Sequence, residues 1–203
     1  MTLTTWFTFL AICCLGAMSP GPSVVVVLKQ TISNGRGHGL AASWFHAAGI
    51  CLWAIATVSG LAIIVANSTS LFNIITWLGA AYLVWVGIRA LMADREASLN
   101  VGKAGQATIM QAGIEGGMIS ILNPKIAIFF LALFSQFISQ DPSLSDQVIM
   151  VTTATLVDGL WYTLVVVILS QDRMYDAIQK RGQLINRVTG VALLILALRV
   201  VMP

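Results

Sequence analysis

Charge is scarce in this sequence. Of 203 residues, eleven are Lys or Arg and eight are Asp or Glu, 9% together, where an average soluble domain carries about 25%. A soluble fold of this size cannot cover its surface with so few charges, so most of its solvent is lipid. Histidine is scarcer still, with two residues and no ligand spacing, which leaves no case for a metal or a cofactor. The three cysteines, Cys13, Cys14 and Cys51, form no Cys-x-x-Cys and lie in apolar runs. They read as small buried hydrophobes and argue against a membrane thiol or electron carrier. The net charge is +3 and the pI about 9.0, but the basic residues are scattered. That fits attraction to anionic headgroups and excludes the clustered patch a nucleic acid would need. No serine or cysteine nucleophile stands in a recognisable motif, so nothing points to an enzyme.

What the chain has in abundance is apolar length. It is 58% hydrophobic with a mean hydropathy of +0.88. The apolar runs cover 3–28, 39–66, 71–92, 107–139, 148–170 and 184–202. A helix crosses the hydrocarbon core in about 20 residues, and these runs lack the period-2 alternation of barrel strands. The expectation is an all-α membrane protein of six transmembrane helices, with residues 1–203 as a single integral-membrane transporter domain. The first run has no basic stretch before it and continues into further spans, so it reads as a retained helix rather than a cleaved signal peptide.

Basic residues orient the bundle. Lys29 and Arg36 follow the first run, Arg89, Arg95 and Lys103 the third, and Arg173, Lys180, Arg181 and Arg187 the fifth; the loops near Asn67–Ser70 and Gln140–Asp146 hold none. Three cytoplasmic loops and two outward-facing termini are expected, in a bacterial inner membrane.

The first and fourth runs are too long and are interrupted. One carries Ser19-Pro20-Gly21-Pro22 and the other Asn123-Pro124-Lys125, and such residues do not continue a regular helix. The fourth run must break, tilt or begin as an interfacial segment over Gln106–Gly117. Pro20 lies 17 residues after Leu3 and Pro124 lies 17 after Ala107. Gly79-Ala80-Ala81-Tyr82-Leu83 in the third run resembles Gly190-Val191-Ala192-Leu193-Leu194 in the sixth. This pattern suggests a 3+3 inverted repeat with broken helices 1 and 4, in which matching breaks mark the binding site. Unwound backbone at Pro20, Gly21, Pro22, Asn123, Pro124 and Lys125 is then a candidate substrate site, because a half-helix N-terminus favours a carboxylate. The alternative is a pair of structural kinks.

Asp158 is the most informative single residue. Ten residues into its run, it lies about 15 Å deep, where a charge costs about 2.5–3.5 kcal/mol on insertion scales. Such a position asks for a reason, and proton coupling is one; a helix–helix hydrogen bond is the other. Lys125 either lies deep, pairing with Asp158 or a substrate carboxylate, or snorkels to the cytoplasm. His46 is a candidate proton relay, set against a satisfied packing residue. Ser43, Ala47 and Cys51, continued by Ala56 and Gly60, form a small-residue stripe for close helix approach. Arg199 snorkels to headgroups. Gly35-Arg36-Gly37-His38-Gly39 reads as a cytoplasmic turn, not a phosphate loop.

The two proline motifs also carry a resemblance. With Val24–Gln30, Gly35–Ala42, Leu78–Leu83, Gly87-Ile88-Arg89, Phe129-Phe130 and Ser135-Gln136-Phe137, the chain resembles the LysE/RhtB family of amino-acid exporters over essentially its whole length. The resemblance implies efflux of amino acids or derivatives such as homoserine, threonine or homoserine lactone, driven by the proton gradient. An acidic residue in the fifth span also resembles the family pattern, at Asp158. Trp44-Phe45-His46 departs from it, where many relatives have small residues, which implies a differently shaped cavity. The implied partners are an amino acid or derivative, protons and the lipid bilayer, with a homo-oligomer compatible. A passive channel is the competing reading, and proton dependence of transport separates the two.

Overall fold

The computed structural model describes residues 1–19, 21–92, 106–138, 143–169 and 174–201. Pro20, Arg95, Lys103 and Arg173 lie outside the described residues, as do the side chains of Lys180, Arg181 and Arg199. All regular structure among the described residues is helical: α1 (Leu3–Met18), α2 (Pro22–Asn34), α3 (Arg36–Asn67), α4 (Thr69–Leu91), α5 (Ile109–Ile121), α6 (Pro124–Ser135), α7 (Leu144–Leu169) and α8 (Met174–Val201).

Local chemistry sets the boundaries. Both expected breaks are present. The axes of α1 and α2 differ by 59°, and those of α5 and α6 by 55°. Proline is the first residue of both α2 and α6, where its missing N–H costs nothing. Asn123 caps α6, its side chain accepting the Lys125 N–H at 3.0 Å. Gly35 alone joins α2 to α3, at φ 95°, a backbone conformation that glycine adopts without strain. The expected turn over 35–39 therefore shrinks to one residue. Lys29, Arg36, Arg89 and Arg187, expected in loops, all lie within helices. Hydropathy falls where charge begins, whereas the helix continues until a glycine, a cap or a proline stops it. Arg89, in the last turn of α4, lays its guanidinium over the Trp85 ring, 5.7 Å from the centroid.

Three helices, α3, α4 and α7, are long and apolar enough to cross a membrane alone, and the count reaches five if each bent pair is one span. The sixth expected crossing falls on α8, whose apolar stretch Arg187–Leu198 is shorter than the usual span. Large apolar side chains on several of these helices face outward, among them Leu52, Ile63, Leu78, Leu160 and Ile195. Apolar surface on this scale is what a lipid solvent selects.

The core is built around α3, which packs on α5, α7 and α2, while α4 packs on α8 and α6. Phe9 of α1 meets Phe134 of α6 edge-on at 5.3 Å. Contact between α3 and α5 is backbone-close: a Cβ added at Gly116 would collide with the Ala42 carbonyl. The Gln106–Gly117 stretch, expected as an interfacial segment, is thus mostly α5 itself, packed in the bundle. The stripe expected on α3 holds at Ser43 and Ala47, both buried, but Ala56 is exposed and Gly60 faces open space. A second close crossing joins α4 and α8, where a Cβ on Gly87 would lie 2.9 Å from the Gly190 carbonyl oxygen and one on Gly190 2.7 Å from that of Gly87.

Candidate functional site

A cavity of about 110 Å³ lies where the bent pairs meet α3 and α7. A cavity measured this way holds one water in about 10–15 Å³, so the space takes several waters or a small solute. Gly21 and Pro22 line it from the first break, Asn123 and Lys125 from the second, and His46 and Asp158 from the long helices. Seven of the eight candidate residues are described; six of these line one space, and Pro124 sits beside them as the first residue of α6.

Residue counting along the helices explains why the titratable pair meets. His46 lies ten residues into α3, about 15 Å from its start at Arg36. Asp158 lies fourteen residues into the 26-residue α7, about 21 Å along a helix of about 39 Å. Because α3 and α7 pack together, their polar side chains face each other. His46 Nδ1 and Asp158 Oδ2 are 2.8 Å apart, with exposures of 1% and 6%. A charge buried this deeply is tolerable only when paired and hydrogen-bonded.

The pair does not stand alone. On its far side His46 Nε2 lies 2.8 Å from Ser23 Oγ, so neither ring nitrogen is without a partner. Tyr162, one turn after Asp158, sets its ring edge-on to His46 at 5.1 Å and lines the same cavity. The order Ser23, His46, Asp158 therefore connects the first turn after the Pro22 break to the middle of α7. With Asp158 ionised and His46 neutral, Nδ1–H donates to the carboxylate and Nε2 accepts from Ser23 Oγ–H. With His46 protonated, both nitrogens donate. Asp158 Oδ1 has no protein partner among the described residues, and it belongs to a side chain lining the cavity.

The opposite side of the cavity carries the complementary chemistry. Lys125 lines it while remaining accessible, and its ammonium has no acceptor among the described residues. Of the alternatives open for Lys125, direct pairing with Asp158 is not formed; the partner of that carboxylate is His46, at Oδ2. Among the described residues no side chain caps the N-terminus of α2, which leaves that helix end suited to an anion. Between the two polar ends the wall is apolar, with Ile50, Val86, Phe129, Phe130 and Leu133. Of Trp44-Phe45-His46, expected to reshape the cavity, His46 lines it, whereas Trp44 and Phe45 are partly exposed and pack beside Gly159 and Gly113. Cys13 is buried and lines the cavity, whereas Cys14 and Cys51 are partly exposed.

Ser23 and Tyr162 were not singled out from the sequence. A polar group within an apolar run needs a partner, so each was a detectable signal, yet its partner lies on another helix. The Glu115 carboxylate of α5 is a second unforeseen centre. Lys29 Nζ contacts its Oε1 at 3.1 Å, and Gln30 donates to its Oε2. Among the described residues no three His, Cys, Asp or Glu side chains gather as a metal site requires.

Comparison with known proteins agrees with this architecture. A Bacillus subtilis membrane protein, YrhP, is 26% identical, with 91% of this chain and 92% of the relative covered. A homoserine/homoserine lactone efflux protein of Salmonella typhimurium is 30% identical over 78% and 77%. A leucine efflux protein of an Enterobacter species is 30% identical over 72% and 71%. No solved structure matches the chain significantly. Two of these relatives are named as efflux proteins, and the LysE type translocator profile matches residues 14–203. On that match, carried across both helix breaks and the buried pair, this membrane protein belongs to the LysE family of amino-acid translocators.

Proposed function

We propose that this chain exports an amino acid or close derivative, such as homoserine, threonine or homoserine lactone, across the bacterial inner membrane in exchange for protons. The observation that carries the proposal is the single cavity lined by both helix breaks, by the His46–Asp158 pair and by Lys125. A zwitterion needs an anionic partner and a cationic one, held apart by apolar wall. Asp158 Oδ1 is the partner for the ammonium group. Lys125 and the half-helix starts after Gly21 and Asn123 are partners for the carboxylate.

The exchange follows from the same geometry. The buried pair holds either a proton or the ammonium, because a second positive charge beside His46 and Asp158 would be uncompensated. Two groups this close titrate as a unit, and the proton belongs to the pair. Facing the cytoplasm, the deprotonated pair takes substrate. Facing outward, it releases substrate, takes a proton and returns. A ligand shifts such an equilibrium only by its differential affinity for the two states.

Six spans in a 3+3 inverted repeat complete the reading, with the single domain spanning 1–203, the basic ends in the cytoplasm and both termini outside. Packing supports the repeat. If α1–α4 correspond to α5–α8, then α3 packs on α5 as α7 does on α1, and α3 on α6 as α7 does on α2. The self-corresponding pairs α3–α7 and α4–α8 also pack, as helices beside a two-fold axis do, whereas the α4–α6 and α2–α3 contacts have no counterpart in α8–α2 and α6–α7 among the described residues.

The test is reconstitution in proteoliposomes with an imposed proton gradient and a panel of labelled amino acids. Accumulation that collapses with a protonophore supports exchange. Flux indifferent to the gradient supports a passive channel and sinks the proposal.

A further inference from the structure

We propose that α2 is the moving gate of this transporter, closed on the cytoplasmic side by a latch in which Lys29 and Gln30 grip the Glu115 carboxylate. The inference rests on the export reading above and adds to it the element that opens. α2 is a 13-residue helix set off from its neighbours at both ends. Before it lies the first break, with its 59° bend. After it the chain turns through Gly35 alone, at φ 95°. Hinge motions are absorbed at such element ends, in a few residues.

Two polar anchors hold this helix, at different heights. Near its start, Ser23 Oγ meets His46 Nε2 at 2.8 Å. Seven residues later, about 10 Å along the axis, Gln30 is 2% exposed and donates to Glu115 Oε2. Its other amide atom, Oε1, accepts from Asn34 Nδ2 at 2.8 Å. Lys29 contacts the remaining carboxylate oxygen of Glu115 at 3.1 Å. Ser23, Val27, Gln30 and Asn34 repeat at helical spacing, so the anchors share one face of α2. That face is apolar between them, with Val27 fully buried.

The two anchors are linked by a rigid rod. A tilt of α2 that breaks the Glu115 grip also moves Ser23 relative to His46. The latch therefore responds to what the His46–Asp158 pair holds, and opening toward the cytoplasm is tied to proton release. Lys29 and Glu115 are each about one-third exposed at 32% and 37%, so the latch is near solvent and weak enough to open in each cycle.

The experiment places a reporter cysteine at the cavity-lining Ser19 (Ser19→Cys) in the full chain. A membrane-impermeant thiol reagent is applied to right-side-out and inside-out vesicles, and the labelled position is mapped by mass spectrometry. Lys29→Glu sets two carboxylates face to face. Labelling of the reporter from the cytoplasmic side should rise about three- to tenfold, the range for a charge-assisted hydrogen bond discounted for screening. Labelling from the outer side should fall. The exchanged pair Lys29→Glu with Glu115→Lys should return both toward wild type, and Glu115→Gln, which keeps a hydrogen-bond acceptor, should fall between. A misfolded variant would gain or lose labelling on both sides together, and the exchanged pair controls for that. Unchanged sidedness in the single variants, or no return in the exchanged pair, overturns the gate. Should sidedness respond as described while the wild-type protein moves no amino acid, the gate stands and the export reading fails.

Discussion

Replacing Asp158 by asparagine removes a charge and keeps a shape, which makes it the sharpest probe of the exchange mechanism. The structural cost is calculable. The asparagine Oδ1 can still accept from His46 Nδ1 across the 2.8 Å gap. A hydrogen bond to a charged group contributes about 1.5–3 kcal/mol, and a neutral one about 0.5–1.5. The loss is therefore about 1–1.5 kcal/mol, against about 5–15 kcal/mol for the stability of a typical protein, and the variant folds. Asp158→Ala is a poorer probe, since it strands a buried His46 donor at about 1–3 kcal/mol and opens a void besides. The functional effect of Asp158→Asn should be far larger than the structural one, because no carboxylate remains to alternate between proton and ammonium. Inside-out vesicles with an acidic interior take up labelled amino acid by the export direction. Asp158→Asn should lose this gradient-driven uptake, while a weaker substrate counterflow without a gradient persists through Lys125 and the helix breaks. A well-expressed Asp158→Asn that takes up substrate at the wild-type rate, with the same response to the gradient, would refute the mechanism and leave Asp158 as a structural hydrogen-bond acceptor.

Three further outcomes are expected. Lys125→Ala removes the cationic partner, so the KM for the exported amino acid should rise about tenfold, the value of one lost charge-assisted contact, while transport stays coupled to protons; an unchanged KM would place Lys125 outside the site. Gly116→Ala drives a methyl group into the Ala42 carbonyl and should lower stability by about 1–3 kcal/mol, read as a lower melting temperature in detergent; an unshifted melting temperature would contradict the close α3–α5 crossing. Reporter fusions after residues 68 and 203 should be active only in an outside-specific assay, as the basic bias requires; a cytoplasmic C-terminus would remove both the six-span count and the inverted repeat.

The breaks were legible because their cause is local. Proline and glycine act on the backbone within a residue or two, so Pro22 and Pro124 announce α2 and α6 before any partner is known. Asp158 was legible for a different reason: counting residues from the edge of an apolar run places it near mid-helix. What could not be read was its partner. His46 is 112 positions away, and only the packing of α3 on α7 brings the rings and carboxylate together. Ser23, Tyr162 and Glu115 were hidden in the same way, as polar residues whose meaning depends on a neighbouring helix. The latch was further obscured because the first apolar run ends at Leu28, which put Lys29 in an expected loop. Hydropathy reports which solvent a segment prefers and is silent on where its hydrogen-bonded ladder stops. α8 makes the same point in reverse, since its helix starts at Met174, well before its apolar stretch.

The crossing of α4 and α8 has a genetic consequence. At Gly87 and Gly190 each helix presents main chain to the other, and the nearest obstacle to a methyl group on either is the opposite carbonyl oxygen. A side-chain clash can be relieved by shrinking the side chain it meets. Here the partner is already glycine and has nothing left to give. Neither site can therefore suppress a substitution at the other, and a selection for revertants of Gly87→Ala should yield true reversions or changes elsewhere along α4 and α8 that shift a whole helix, with position 190 remaining glycine throughout.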